Sequence, residues 1–255
     1  MRIAIFTDVH YAAGLTTCST RTCFQSLGKL ARIATELPAN AYINLGDLVN
    51  DTGDDYANGL NLAAALDALT AFPAHCFSLV GNHDVEVAAR ARFTGHDCGW
   101  FSFELGGIEF LALDCNYTHA GVRVSGRGFD WTDAAIPDAE ISWLRECLSH
   151  DGPPVILLSH HPLFGDPADP HIIRNQDAVG GLLRAAHRPV RAIIAGHYHP
   201  GAIRDAWGVP EFILSAVCER GGIPYAVLDI QSDSLKLSIG DLGCNRAEEN
   251  IWSFR

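Results

Sequence analysis

The chain has no apolar run approaching the roughly 20 residues that cross a bilayer. Its longer apolar stretches, such as Val155 to Leu158, have the length of buried strands, so no membrane span is expected. A basic, then apolar, then small-residue leader is also missing: Met1-Arg2-Ile3-Ala4-Ile5-Phe6-Thr7-Asp8 reads as a strand from its first residues. No secretory signal is expected, and the protein is assigned to the cytoplasm. Cysteine is sparse, with eight in 255 residues and none in a Cys-x-x-Cys pair, which excludes a disulfide-built scaffold and a zinc ribbon. Cys76, Cys115 and Cys147 sit in apolar contexts and are read as buried free thiols, whereas Cys18 and Cys23 lie nearer a polar loop and stay open. Cationic residues are few as well: 18 Lys+Arg against 30 Asp+Glu give a formal net charge of -12. That balance disfavours extended nucleic-acid binding through phosphate contacts. It leaves room for a small phosphate ligand, because bound cations reverse the local field inside one cleft. No internal repeat or low-complexity linker divides the sequence, and 48% hydrophobic content over 255 residues fits one α/β domain spanning residues 1–255.

What is present is an alternation of short β-branched runs with helical patterns, the mark of strand–helix–strand units and largely parallel buried sheet. Residues 2–7, 41–45, 75–80, 154–158 and 191–195 read as strands. Helices are expected over Phe24 to Leu37 and Ala57 to Ala71, and a third where Ile141, Leu144 and Leu148 recur at three- and four-residue spacing after Pro137 and Asp138. Residues 100–114 read as a hairpin turning at Gly106-Gly107. Beyond Gly201 the pattern becomes antiparallel, with strands expected at Ala202 to Asp205, Pro210 to Leu214, Tyr225 to Ile230 and Leu235 to Gly240. Two packed sheets flanked by helices suit this better than one doubly wound sheet.

Five short motifs each follow an expected strand: Asp8-Val9-His10, Gly46-Asp47, Gly81-Asn82-His83-Asp84, His160-His161 and Gly196-His197-Tyr198-His199. The carboxyl ends of neighbouring strands converge on one crevice in α/β folds, so motifs far apart in sequence can meet there. Carboxylate with imidazole suits manganese, iron or zinc, whereas an all-oxygen cage suits calcium or magnesium and an all-thiolate one structural zinc. In Asp8-x-His10 and His197-x-His199 the two side chains project to one face of an extended segment. Gly46, Gly81 and Gly196 precede candidate ligands, where a missing Cβ lets the backbone turn sharply or approach a bound ion.

In this order the motifs resemble the calcineurin-like metallophosphoesterase superfamily, whose pattern D-x-H, GD, GNH-D/E, H, GH-x-H is matched at every element between residues 8 and 199. The resemblance implies a four-layer αββα sandwich of two mixed β-sheets between helices. It also implies two metal ions, one held by Asp8, His10, Asp47 and His199 and the other by Asp47, Asn82, His160 and His197, with Asp47 as the bridge. Of the neighbouring pair it selects His160 over His161. It further implies that His83 stabilises the transferring phosphoryl group or protonates the departing alkoxide, with Asp84 orienting or charging it. A narrower similarity, through Asp8-Val9-His10-Tyr11, Arg21 to Leu30, His161-Pro162-Leu163, Ala168-Asp169-Pro170 and Asn175, is to the manganese-dependent ADP-ribose/CDP-alcohol diphosphatase branch.

The expected chemistry is in-line attack on phosphorus by a hydroxide bridging two divalent or trivalent ions (Mn²⁺, Fe²⁺/Fe³⁺ or Zn²⁺) about 3.5–4 Å apart. With Asp8, Asp47 and one hydroxide, two dications keep one net positive charge for a phosphodiester anion. The expected activity is that of a phosphodiesterase or nucleotide diphosphatase acting on a small phosphoester or nucleotide-like substrate. A phosphomonoesterase or protein phosphatase, and an inactive binding scaffold of the same fold, are the rival readings. His75, His96, His150 and His187 are assigned to ordinary packing or surface, and His119 and His171 to loops that can border the cleft. Tyr117, which follows Asn116 after a strand, and Phe129 and Trp131 can stack their rings on a flat substrate group or merely cover the core. Arg21 and Arg127 can pair with phosphate through bidentate hydrogen bonds, but a solvated surface role is the favoured reading for each.

Overall fold

A computed structural model describes residues 1–13, 21–87, 99–232, 234–243 and 246–254; Cys18 and His96 lie outside the described residues. Twelve strands are described: β1 (Arg2–Phe6), β2 (Ala41–Asn44), β3 (Cys76–Ser78), β4 (Phe101–Leu105), β5 (Ile108–Ala112), β6 (Val155–Leu158), β7 (Val190–Ala195), β8 (Ala202–Ala206), β9 (Val209–Ile213), β10 (Pro224–Ile230), β11 (Leu235–Asp241) and β12 (Arg246–Phe254). They form two six-stranded sheets, ordered β12-β11-β10-β1-β2-β3 and β4-β5-β6-β7-β9-β8. Both are mixed. β1, β2 and β3 run parallel beside an antiparallel β10-β11-β12, and β5, β6, β7 and β9 run parallel between antiparallel β4 and β8. Flanking them are α1 (Ser26–Glu36), α2 (Asp55–Thr70), α3 (Asn82–Val87), α4 (Asp138–Ser149) and α5 (Gln176–Ala185).

Period-two alternation decides the layers. In β1, Ile3 and Ile5 face the other sheet, where they join Ile43, Phe110, Ile156, Leu158, Ile194 and Phe212. Ala4 and Phe6 face outward onto Leu30 and Ile33 of α1 and Leu62 and Ala65 of α2. The second sheet repeats the arrangement, with Val155, Leu157 and Ile193 packed on Ile141, Leu144 and Leu148 of α4 and Val179 and Leu182 of α5. Central strands are therefore apolar on both faces, and each such fully buried Leu or Ile contributes about 2 kcal/mol. The result is the expected αββα sandwich.

Local signals explain the helix starts. Asp54 caps α2 by accepting from the amides of Tyr56 and Ala57. Pro137 precedes α4, and Asp138 and Glu140 in its first turn complement the helix dipole. Three elements escape the sequence reading. β12 carries Arg246, Glu248, Glu249 and Asn250 in its sequence, which erase an apolar alternation; it is an edge strand, bulged against β11. In α5, Gly180 and Gly181 weaken helical propensity, yet a Cβ on Gly180 would overlap the Trp207 ring. The short helix α3 is embedded in the Gly81-Asn82-His83-Asp84 motif itself. Among the described residues no helix is long and apolar enough to cross a membrane.

Candidate active site

The parallel strands of both sheets end on the same side of the sandwich. Asp8 and His10 follow β1, Asp47 follows β2, Asn82 and His83 open α3 after β3, His160 follows β6, and His197 and His199 follow β7. Asp47, Asn82, His197 and His199 line one cleft of about 560 Å³, whose walls also include Arg21, His83, Glu86, Phe129, Trp131 and His171, and Asp8, His10 and His160 lie buried against them. Four of the five non-glycine residues with positive φ among the described ones are candidate ligands: Asp8 (54°), His10 (47°), Asp47 (52°) and His197 (65°). L-residues resist this conformation by about 1–2 kcal/mol each, and such strain concentrates where a side chain must be aimed.

On one side, His10 Nε2 lies 3.6 Å from Asp8 Oδ1, 3.3 Å from Asp47 Oδ2 and 3.3 Å from His199 Nε2, and His199 Nε2 lies 3.5 Å from Asp8 Oδ1. Ligands at about 2.1 Å from a tetrahedral ion stand about 3.4 Å apart, so these four atoms have the spacing that could hold one ion. On the other side, His160 Nε2 lies 3.3 Å from Asp47 Oδ2 and 3.2 Å from Asn82 Oδ1, and Asp47, His160 and His197 offer donor atoms within 4.8 Å of one another. Asp47 Oδ2 belongs to both groups. Its other oxygen accepts from the His83 amide at 2.8 Å.

The fit to cations is electrostatic as well as geometric. Asp8 Oδ1 and His197 Nε2 are buried atoms with no hydrogen-bond partner, a costly condition that a coordinated ion relieves. Burial acts to raise Asp8, yet the adjacent His10 and His199 imidazoles hold it well below the usual carboxylate range. Asp47 is likewise held low, against burial, by His160, His83 and His10. Burial pushes His10 down to about 4 and His197 well below its ordinary value, leaving neutral imidazoles with a lone pair to give. His160 is raised to about 9, against burial, chiefly by Asp47; a cation held there would take the place of its proton.

Three of the four candidate-ligand imidazoles have a partner behind them. His160 Nδ1 donates to the Leu45 carbonyl at 3.1 Å, turning Nε2 inward. His199 Nδ1 pairs with Glu219 Oε1 at 2.7 Å and His10 Nδ1 with Asn50 Oδ1 at 3.2 Å. Such outer partners fix the tautomer and raise ligand basicity. His161 stands behind the centre, its ring 5.1 Å from that of His160 and 4.3 Å from that of His197. Burial first, and His160 second, push it down to about 3, so it packs as a neutral ring.

The three glycines serve close approach between loops more than approach to an ion. A Cβ on Gly81 would collide with Asp47 Oδ1, one on Gly196 with Thr7 Oγ1, and one on Gly46 would fall 2.6 Å from the Gly81 nitrogen and 2.9 Å from His160 Nδ1. Asp84 also differs from its expected part of orienting His83. Its Oδ1 accepts from the Leu48 and Val49 amides and its Oδ2 from that of Gly81, so it staples two ligand loops together; burial and the nearby Asp47 carboxylate push it up to about 7. The partner of His83 is Glu86, whose Oε2 lies 3.2 Å from His83 Nδ1. Despite burial, Asp47 and Glu86 raise the His83 imidazole above its ordinary value. The three-residue spacing in α3 was the signal for Glu86; Glu219 and Asn50 left none.

Arg127 pairs with Asp51 and Asp55 and not with the cleft, while Arg21 is partly buried on the cleft wall, 3.5 Å from His10 Nδ1. His119 is exposed and pairs with Asp133; His75, His150 and His187 are exposed and away from the centre. Cys76, Cys115 and Cys147 are free thiols, as are Cys23 and Cys218.

The model of the calcineurin-like phosphoesterase family matches residues 1–201, four fifths of the chain and every motif above. The chain belongs to this family. This calcineurin-like phosphoesterase is a metal-dependent phosphoester hydrolase. It is 29% identical over 223 residues to a Rhodococcus erythropolis protein named "probable cyclic nucleotide phosphodiesterase", covering 84% of this chain and 67% of that one. Over 151 residues it is 36% identical to a cAMP/cGMP dual specificity phosphodiesterase of Mycobacterium tuberculosis, covering 55% of this chain and 42% of that one. In fold it resembles a dimetal phosphatase from Danio rerio, with a TM-score of 0.79 at 18% identity over 99% of this chain and 98% of that one. A purple acid phosphatase from yellow lupin (Lupinus luteus) seeds is similar over 99% of this chain and 53% of that one, with a TM-score of 0.66 at 13% identity.

Proposed function

We propose that this calcineurin-like phosphoesterase is a phosphodiesterase of small nucleotides, cyclic nucleotides foremost, working at two metal ions. Asp8, His10, Asp47 and His199 hold one ion and Asp47, Asn82, His160 and His197 the other. The observation that carries the reading is Asp47 Oδ2, a single carboxylate oxygen 3.3 Å from an imidazole of each half. Manganese, iron and zinc suit this nitrogen and oxygen set. When bound, such a pair supplies Lewis-acid charge and water activated for attack on phosphorus.

The chain's own residues supply the rest. Two carboxylates and one neutral amide hold the ions without cancelling their charge, which leaves the cleft attractive to a phosphodiester anion. His83, backed by Glu86, retains a proton at the mouth of the site and delivers it to the departing alkoxide. Phe129 and Trp131 line the same cleft and offer flat apolar faces to a base. The relatives named as cyclic nucleotide phosphodiesterases support that choice of substrate.

The test is a turnover assay with added Mn²⁺ on cAMP, cGMP, CDP-alcohols, ADP-ribose and the bis- and mono-nitrophenyl phosphates. Diesters are expected to outrun the monoester; a monoester preference overturns the reading. His83→Ala is expected to slow cAMP hydrolysis by about a hundredfold or more, and bis-nitrophenyl phosphate, whose leaving group needs no proton, far less. Equal losses on both would remove His83 from proton delivery.

A further inference from the structure

His171 lies outside every motif, yet its ring lines the metal cleft. It is held in place from three directions. The Trp131 ring stands 5.5 Å away and the Tyr198 ring 5.2 Å away, and Asp169 Oδ1 accepts both the His171 backbone amide at 3.0 Å and the ring Nδ1 at 2.8 Å. Asp169 is anchored in turn, its Oδ2 lying 3.4 Å from Arg204, whose guanidinium also donates to the Phe164 carbonyl. A carboxylate on Nδ1 makes that nitrogen the donor, so in the neutral ring Nε2 is left as an acceptor. The candidate-ligand imidazoles with an Nδ1 partner of this kind aim Nε2 at the candidate metal site; this one is 5.4 Å, ring to ring, from His197 and stands on the cleft wall beside the centre.

We infer that His171 Nε2 accepts a hydrogen bond from a substrate hydroxyl vicinal to the scissile phosphodiester, the ribose 2′-hydroxyl of a cyclic nucleotide, and so selects ribonucleotides over deoxyribonucleotides. The inference rests on the proposed cyclic-nucleotide activity and adds the sugar to it. With the phosphate at the paired ions and the base against Trp131, the ribose passes along His171, because Trp131 lies within 5.6 Å of both His171 and His197. The 2′-hydroxyl neighbours the esterified 3′-oxygen, so an acceptor next to the metal centre meets it there. A site that presents a fixed acceptor discriminates against an analogue without the donor, because the acceptor is then left unpaired.

The experiment compares kcat/KM for cAMP and 2′-deoxy-cAMP, in mildly alkaline buffer with Mn²⁺, for the wild type, His171→Ala and Asp169→Ala. The wild type is expected to favour cAMP by about tenfold, the weight of one hydrogen bond to a rigid acceptor. His171→Ala brings that ratio to about one, and Asp169→Ala, which keeps the ring but frees its tautomer, narrows it part-way. The second variant keeps the inference testable if the first does not fold. A wild type indifferent to the 2′-hydroxyl, or a ratio that survives both substitutions, overturns the inference. Wild-type turnover of bis-nitrophenyl phosphate separates the two failures: without turnover of any diester the parent activity falls, whereas turnover with an unmoved ratio sinks only the role of His171.

Discussion

At the amino ends of the parallel strands the chain reverses mainly through glycine, with Gly106 and Gly107 taking φ of 61° and 78° between β4 and β5, and Gly208 86° beside Trp207 at 55° between β8 and β9. At the carboxyl ends the same left-handed region is occupied by Asp8, His10, Asp47 and His197. One end merely turns, and glycine does so at no steric cost. The other end retains side chains that resist the conformation, because those side chains are the ones aimed at the cleft. Their strain is tolerated because the surroundings over-determine it: the Asp8 amide donates to the Gly46 carbonyl, the His10 amide to that of Asp47, and the His197 amide to Asp8 Oδ2. Where glycine does occur among the ligand loops, it stands mainly where another loop presses against it.

Substitutions at the two ends break or sharpen this contrast. The largest effect is expected for Asp47→Asn, which keeps the shape and the αL tolerance of the position but removes the shared charge. Turnover should fall by about a thousandfold or more, and the rise in melting temperature that Mn²⁺ gives the wild type should shrink. A variant that still gains full stability from metal would contradict the bridging role. Gly46→Ala comes next. Its new methyl meets Gly81 backbone and His160 at a φ of +110°, and chemical denaturation should register a loss of about 3 kcal/mol together with weaker metal binding.

Glu219→Gln removes the carboxylate behind His199 without touching a ligand. Affinity for one ion is expected to drop by about tenfold or more, read by calorimetric titration, with activity recovering in excess metal. No change in affinity would mean that the 2.7 Å contact does not tune the imidazole. The smallest effect belongs to Gly107→Ala, where a Cβ meets nothing within 4 Å. Only the backbone cost of about 1 kcal/mol should appear, with turnover unchanged; a fall in turnover there would erase the distinction between the two ends.

Much of the molecule was legible in local pattern. The αββα layering follows from strands apolar on both faces and from a switch to antiparallel runs after Gly201, and the seven candidate ligands from polar clusters placed just past strands. The elements that escaped were those whose pattern is overwritten by another demand: charge on the β12 edge, and the glycine of α5 under Trp207. Asp84 shows a different limit. Its place beside His83 in the chain suggested a place beside it in space, but the opening turn of α3 sends neighbouring side chains in different directions. The partner of His83 is therefore Glu86, three residues on.

Residue type and order along the chain were sufficient to nominate the candidate metal-binding set, because a strand, the loop after it and a two-residue spacing are local properties that survive without knowledge of anything distant. The partners that aim those residues are another matter. Glu219 lies 20 positions from His199, Asn50 lies 40 from His10, and Leu45 lies 115 from His160; none of these separations follows a period. They meet only because two sheets pack face to face and gather loops from opposite halves of the polypeptide, and that packing is a cooperative property of the whole core.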